Sequence, residues 1–154
     1  MGKVGKGMRV SQKTEYALRA MLELAKQARQ PNPVRSADIA KNQSIPEKFL
    51  ELILVELRRA GLISSLRGPV GGHRLAREAQ RISVGDIWRA IEGPPEEPSL
   101  SENRADARKN LAGNPFGFVW VQVNSAVAEI VDGISLDEIR LRAESGQSVP
   151  DFTI

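Results

Sequence analysis

The sequence predicts a mainly α-helical chain carrying one small β-hairpin and ending in a long helix. Three observations carry that expectation. Apolar residues recur at helical spacing along most of the 154 positions. The stretch Leu57-Arg58-Arg59-Ala60-Gly61-Leu62-Ile63-Ser64-Ser65-Leu66-Arg67-Gly68-Pro69-Val70-Gly71-Gly72-His73-Arg74-Leu75 leads from a basic helix, through a glycine stop, into a hairpin with an arginine at its turn. Charge is also divided between the halves. Residues 8–82 hold fourteen Lys and Arg against seven Asp and Glu, whereas 83–154 hold six against twelve. A basic helix feeding a basic hairpin is the outline of a winged helix-turn-helix. The charge split suggests that this half meets a polyanion while the other serves another purpose.

Each element has a local reason. Residues 1–7 are rich in Gly and Lys and read as disordered, with Met8 an alternative start. Ser11 can cap a helix running to about Arg29, whose stripe is Thr14, Leu18, Met21, Leu22 and Ala25, widened by Ala17, Ala20 and Leu24. Pro31 and Pro33 end it. Ser36 is expected to cap a short second helix, with Asp38 in its first turn. Pro46 opens a third, running to Ala60, where a missing N–H costs nothing. Phe49, Leu50, Ile53, Leu54 and Leu57 make its expected buried face, opposite Pro46, Glu47, Lys48, Glu51 and Arg58.

Ser83 and Asp86 open a fourth helix with Val84, Ile87, Trp88 and Ile91 on one side, and Gly93-Pro94-Pro95 stops it. Residues 93–114 lack a sustained apolar period and read as a linker. Pro115 then begins a helix to about Asp132, roughly 27 Å long. Phe116, Val123 and Ile130 are spaced by seven, with Val119 and Ala126 between them and Trp120, Val127 and Val131 alongside. So apolar a helix beside a weak linker is expected to pair with a second copy. Packing back on its own domain is the alternative. Gly133 ends it, and Ser135 with Glu138 can box the start of a last short helix. The expected division is a winged helix-turn-helix domain over 8–92, a linker loop over 93–114, and a dimerisation helix with a short C-terminal helix over 115–146.

Several function classes drop out. With no cysteine there is no disulfide and no thiolate chemistry or ligation. No run approaches the ~18 apolar residues of a membrane span, and no signal-peptide core opens the chain, so the cytoplasm is the expected compartment and no membrane partner is expected. The single histidine, His73, stands in the hairpin without a serine–acid arrangement and reads as a surface or DNA-proximal side chain. Gly71-Gly72 belongs to the hairpin rather than a phosphate loop before a helix. No enzyme and no cofactor are expected.

Duplex DNA is the expected partner. Lys48 and Glu51 project from the third helix near the end where a recognition helix meets base edges. Glu51 in a groove makes sense as an acceptor for cytosine N4, and otherwise as a surface ion-pair partner. Arg67 at the hairpin tip can enter a narrow minor groove. Lys13, Arg19, Arg58, Arg59 and Arg74 are candidate phosphate contacts, which set affinity but not sequence choice.

These residues fall into a familiar pattern. Met8-Arg9-Val10-Ser11 with Tyr16-Ala17-Leu18-Arg19-Ala20 resembles the opening of the Rrf-two (IscR-like) family of bacterial transcriptional regulators. The likeness continues through Ile39-Ala40, Ile45-Pro46, Phe49-Leu50-Glu51 and Leu57-Arg58-Arg59-Ala60-Gly61-Leu62. Arg67-Gly68-Pro69-x-Gly71-Gly72 with Leu75 is its most distinctive part, followed by Val84-Gly85-Asp86-Ile87, Trp120 and Ile134-Ser135-Leu136-x-Glu138. The resemblance spans about residues 8–145. It implies a dimeric winged-helix regulator whose long C-terminal helix crosses to its partner, with Glu51 and Arg67 where members read the operator and Lys48 as a neighbouring contact.

The departure from the family matters as much. Its sensors hold an iron–sulfur cluster on three cysteines before the dimer helix, and this chain has none. By spacing from Ile134, the last of those cysteines falls at Asn114 and a possible histidine ligand at Gly117. Glu15 matches a position where some members supply a carboxylate ligand. One oxygen without thiolates cannot hold a cluster, so Glu15 is expected to pair with Arg19 one turn on. Regulation would then come from a protein partner, a small-molecule effector or abundance. The expected function is a homodimeric, sequence-specific regulator, a repressor on a near-palindromic operator. The rival reading is a winged helix that docks an acidic protein partner.

Overall fold

Helix α1, Gln12–Lys26, starts where the sequence offers a cap: Ser11 Oγ accepts the Thr14 N–H at 3.1 Å. The computed structural model describes residues 10–93 and 115–146. The expectations for residues 1–7, for nearly all of the linker and for the tail after 146 lie outside the described residues. α1 stops three residues short of Arg29, in a turn that precedes Pro31 and Pro33. Its Ala17, Ala20, Met21, Leu24 and Ala25 are buried, and its small side chains let α1 pack against every helix of the first half.

Helix α2 is Ser36–Gln43 and helix α3 is Glu47–Arg59. Pro46 stands one position earlier than expected, as the residue that caps α3. Leu50, Ile53, Leu54 and Leu57 are buried as the period predicts. Phe49 is not: it is 56% exposed. At about 100° per residue it lies a quarter-turn off the middle of the buried stripe, where a side chain can go either way. Its ring finds Tyr16 of α1 at a centroid distance of 6.3 Å.

The end of α3 is a Schellman turn. Leu62 N–H donates to the Leu57 carbonyl and Gly61 N–H to that of Arg58, both at 3.0 Å, with Gly61 at φ +74°. Strands β1, Ile63–Leu66, and β2, Gly72–Leu75, then pair antiparallel in the register Ile63 with Leu75 through Leu66 with Gly72. A short 3₁₀ turn, Ala79–Arg81, leads into α4, Val84–Glu92, whose Ser83–Asp86 capping box is complete.

Helix α5, Gly117–Asp132, begins two residues after Pro115, and α6 covers Leu136–Glu144. Ser135 Oγ accepts from Glu138 N–H, while the Glu138 carboxylate pairs with Arg142 rather than closing the box. The C-terminal segment is stitched to the first half by a two-bond bridge: Val84 N–H to the Ile134 carbonyl and Leu136 N–H to that of Ile82, at 2.9 and 2.7 Å. Leu136 thereby completes a core built from Met21, Leu24, Ile39, Leu50, Ile53, Leu57, Leu62, Ile82 and Ile87. The C-terminal end of α5 lies against α4, where Asp132 pairs with Arg89 directly over Gly85. A side-chain carbon at Gly85 would meet the Asp132 carboxylate, so a larger residue there would have to displace the Asp132–Arg89 pair.

Candidate nucleic-acid interface

A buried carboxylate holds the α2–α3 turn in place. Glu23 of α1 is buried, and its Oε1 accepts from Gln27 and Asn42 while Oε2 accepts from Gln43, at 2.7, 2.8 and 2.9 Å. Burial alone would push its pKa up. The three amide donors, helped by Lys26, outweigh that and hold it below the ordinary carboxylate value. Arg19 donates to the Gln43 carbonyl at 3.0 Å and lies over the Tyr16 ring at 5.0 Å. The expected Glu15–Arg19 pair is therefore absent among the described residues; the turn end and an aromatic face attract Arg19 instead. Ser44 closes the turn in the left-handed region, at φ 53°, and Ile45 N–H reaches back to the Ala40 carbonyl.

From this support α3 presents its outer face. Lys48, Glu51, Leu52, Arg58 and Arg59 are exposed, and Glu51 makes no ion pair among the described residues. Lys13 is different. Its ammonium is held 2.6 Å from Glu56 of α3, so it ties α1 to α3.

The hairpin glycines have separate physical jobs. Gly68 sits at φ +110°, which lets the chain turn back after Arg67, and Gly71 N–H closes the tip on the Gly68 carbonyl at 2.8 Å. Gly72 passes so close to the start of α2 that a β-carbon would lie 2.6 Å from the Val34 carbonyl oxygen. Arg67 itself points outward and is exposed.

Sequence reasoning missed how the hairpin is braced. His73 is half-buried rather than a free surface group. Val34 and His73 exchange backbone bonds of 2.9 and 2.7 Å, and the ring spans Ser65 Oγ at Nδ1 and Ser36 Oγ at Nε2, at 2.7 and 2.8 Å. Ser36 is thus not the α2 cap. Arg35 occupies that position, and the Ser36 hydroxyl serves the hairpin. Arg35 donates to the Pro69 carbonyl at 2.5 Å, and Arg74 donates to that of Pro31. Burial, then the charge of Arg58, lowers the His73 pKa, with Glu51 opposing. β1 follows α3 directly and packs against it, which puts the hairpin beside α3. A sequence signal existed only in part: polar residues at Arg35 and Ser36 are visible, but their partners lie over thirty positions away.

The second exposed surface is on α5. Phe116, Trp120, Val123 and Ile130 are exposed, Trp120 by 59%, while Val119 and Val127 are half-buried. At about 100° per residue all six fall within an arc of about 100°. Phe118 and Val121, also exposed, lie on the opposite side and were not anticipated.

Comparison with known proteins decides the family. A family model described as Rrf2, an iron-dependent transcriptional regulator, matches residues 10–140. The chain belongs to the Rrf2 family. It is 33% identical to the HTH-type transcriptional regulator CymR of Bacillus subtilis, over 96% of this chain and all of that protein. It is 34% identical to the HTH-type transcriptional regulator IscR of Aliivibrio salmonicida, over 91% of this chain and 82% of that one. The fold agrees with solved structures: B. subtilis CymR, described as a global cysteine regulator, superposes with a TM-score of 0.69 at 33% identity, covering 88% of this chain and 98% of that one. IscR of T. potens gives 0.67 at 34% identity, covering 95% and 96%. The mainly helical winged fold and the regulator family follow, and with them DNA-binding transcriptional regulation rather than enzymatic catalysis.

The iron in the family description does not fit this chain's donors. There is no cysteine in the sequence, and no group of three or more His, Asp or Glu side chains among the described residues is placed to hold a metal ion. Glu15 is exposed on α1 and offers one hard oxygen donor. No helix among the described residues is long and apolar enough to cross a membrane.

Proposed function

We propose that the chain works as a homodimeric, sequence-specific repressor on a near-palindromic operator, without an iron–sulfur cluster. The observation that carries this is the adjacency of two exposed elements: the outer face of α3, which packs on β1, and the Arg67 tip of the same hairpin, braced against α2. A helix of that size fits the major groove, and an arginine one element away reaches the flanking minor groove. Glu51 accepts from cytosine N4, Lys48 contacts a neighbouring position, and Arg67 inserts beside them. Arg58 and Arg59 neutralise phosphates. Lys13 and Arg74 already serve Glu56 and Pro31, yet each keeps N–H donors to spare and adds a lesser phosphate contact.

The α5 seam of Phe116, Val119, Trp120, Val123, Val127 and Ile130 pairs two copies. An exposed apolar strip favours self-association. Two readers related by symmetry contact half-sites about one helical turn apart or a multiple of it. Repression follows most simply, since occupancy of the duplex excludes other proteins from it.

The test is a titration of the full chain on duplexes selected from a random library. A preference over unselected DNA is expected, together with affinity that falls steeply with salt. Arg67→Ala is expected to weaken the selected duplex by about 1–3 kcal/mol. Changing Glu51 to Gln relaxes base choice more than it weakens binding. Equal binding to selected and random DNA at low salt would overturn the reading.

A further inference from the structure

On the outer face of α3, among the charged side chains, stands one large apolar residue that folding leaves uncovered. Leu52 is 61% exposed. It sits near the middle of that face: at about 100° per residue, Lys48, Val55, Glu56 and Arg59 lie within about 60° of it, and Glu51 about 100° away. Phe49, the other exposed apolar residue of α3, at least shares its ring with Tyr16. A polar residue at position 52 would be compatible with the helix.

The charges around it indicate the occupant. Lys48, Arg58 and Arg59 on the same helix and Arg67 on the hairpin bring positive charge to this side of the molecule; of the α3 carboxylates Glu56 is already paired with Lys13, and Glu47 and Glu51 oppose the four cations. A polyanion suits that rim better than an apolar protein surface, which would strand the four cations. Within a DNA major groove, the one apolar feature presented to a side chain is the C5-methyl group of thymine.

We propose that Leu52 is a specificity-determining residue that selects thymine by packing on its C5-methyl group. The assignment rests on the reading that α3 enters the major groove. Leu52 supplies methyl groups at the end of a short, stiff side chain, so it rewards a methyl in one position and gives nothing to a base edge that offers only hydrogen-bonding groups. Arg59 holds the DNA backbone beside it, and Lys48 keeps its contact at the neighbouring position. Glu51 reads a different base, so the two side chains together distinguish adjacent steps by different chemistry.

The experiment uses the full chain and a duplex selected from a random library, resynthesised with deoxyuridine for thymine one position at a time. That exchange removes only the methyl group and keeps base pairing intact. Wild type is expected to lose affinity about fourfold at one thymine in each half-site, and about fifteenfold when both symmetric copies are exchanged. Leu52→Ala is expected to show the same loss on the thymine duplex and no further loss on the deoxyuridine one. The variant melts no lower than wild type, because the removed atoms are exposed and alanine favours helix. Three results overturn the proposal: no thymine position where wild type senses the methyl, a selected site lacking thymine under α3, or undiminished methyl sensitivity in Leu52→Ala. Each of these leaves duplex preference intact. Loss of all preference for selected DNA instead brings down the groove reading itself, and this proposal with it.

Discussion

The two ends of this chain treat apolar side chains in opposite ways. In the first half the helices turn most of their apolar side chains inward and most of their charges out, with Glu23 buried and Phe49 and Leu52 exposed as exceptions. α5 carries Trp120, Val123 and Ile130 on the outside, though its foot is anchored by Asp132 on Arg89 and by the neighbouring bridge to Ile82 and Val84. A surface rich in charge needs water or a polyanion, whereas a surface rich in hydrocarbon needs another apolar surface. The contrast teaches that the molecule is stable as one unit through Leu136 while its two outward faces call for different partners.

The sharpest way to break that contrast is a charge in the apolar seam. On the proposed α5 pairing, Val123→Glu is expected to sediment as single chains where wild type sediments as two, and to cut operator affinity by on the order of a hundredfold, because a carboxylate without a partner is costly in an apolar interface. An unchanged sedimenting species would place the seam elsewhere. In the reading half, Gly72→Ala forces the hairpin off Val34. A loss of about 1–3 kcal/mol in denaturant unfolding is expected, with weakened operator binding.

A smaller effect distinguishes the hairpin brace by pH. His73 has its folded pKa below the ordinary 6.5, so the unfolded chain binds the proton first. Stability is therefore complete above about 6.5 and falls as the pH drops through that value toward the lowered folded one. His73→Gln is expected to flatten the fall in melting temperature between roughly pH 7.5 and 5.5. An equal fall in both proteins would remove His73 from the brace. Glu23 and Glu92 do not confuse this window. Their pKa values are also lowered, so their contributions are lost only on falling below about 4.5. Smallest of all, Ser44→Gly relieves a left-handed serine and is expected to raise stability by about 0.5–1 kcal/mol in the same unfolding assay.

What the sequence makes legible here is what local chemistry controls. Ser11, Ser83 and Ser135 each cap the helix that follows, Gly61 ends α3, and Arg67 stands exposed at a glycine-shaped tip. These depend on neighbours one to five positions away. Distant partners were invisible. No local pattern marks Glu23 for burial; its partners Asn42 and Gln43 come from the far end of α2. Ser36 reads as a cap until His73 reaches it from β2. Phe49 and Leu52 show the limit of periodicity: helical spacing finds the middle of a buried stripe reliably but says little about its edge, or about an apolar residue placed outside for a partner.

The central claim is that two reading halves are held at a set separation by the α5 seam. Inserting about five base pairs at the centre of the selected palindrome turns one half-site by about half a helical turn, while about ten restores its facing. Affinity for the five-pair insertion is predicted to drop to that of a single half-site, with partial recovery at ten. Equal affinity for all three spacings would contradict the claim.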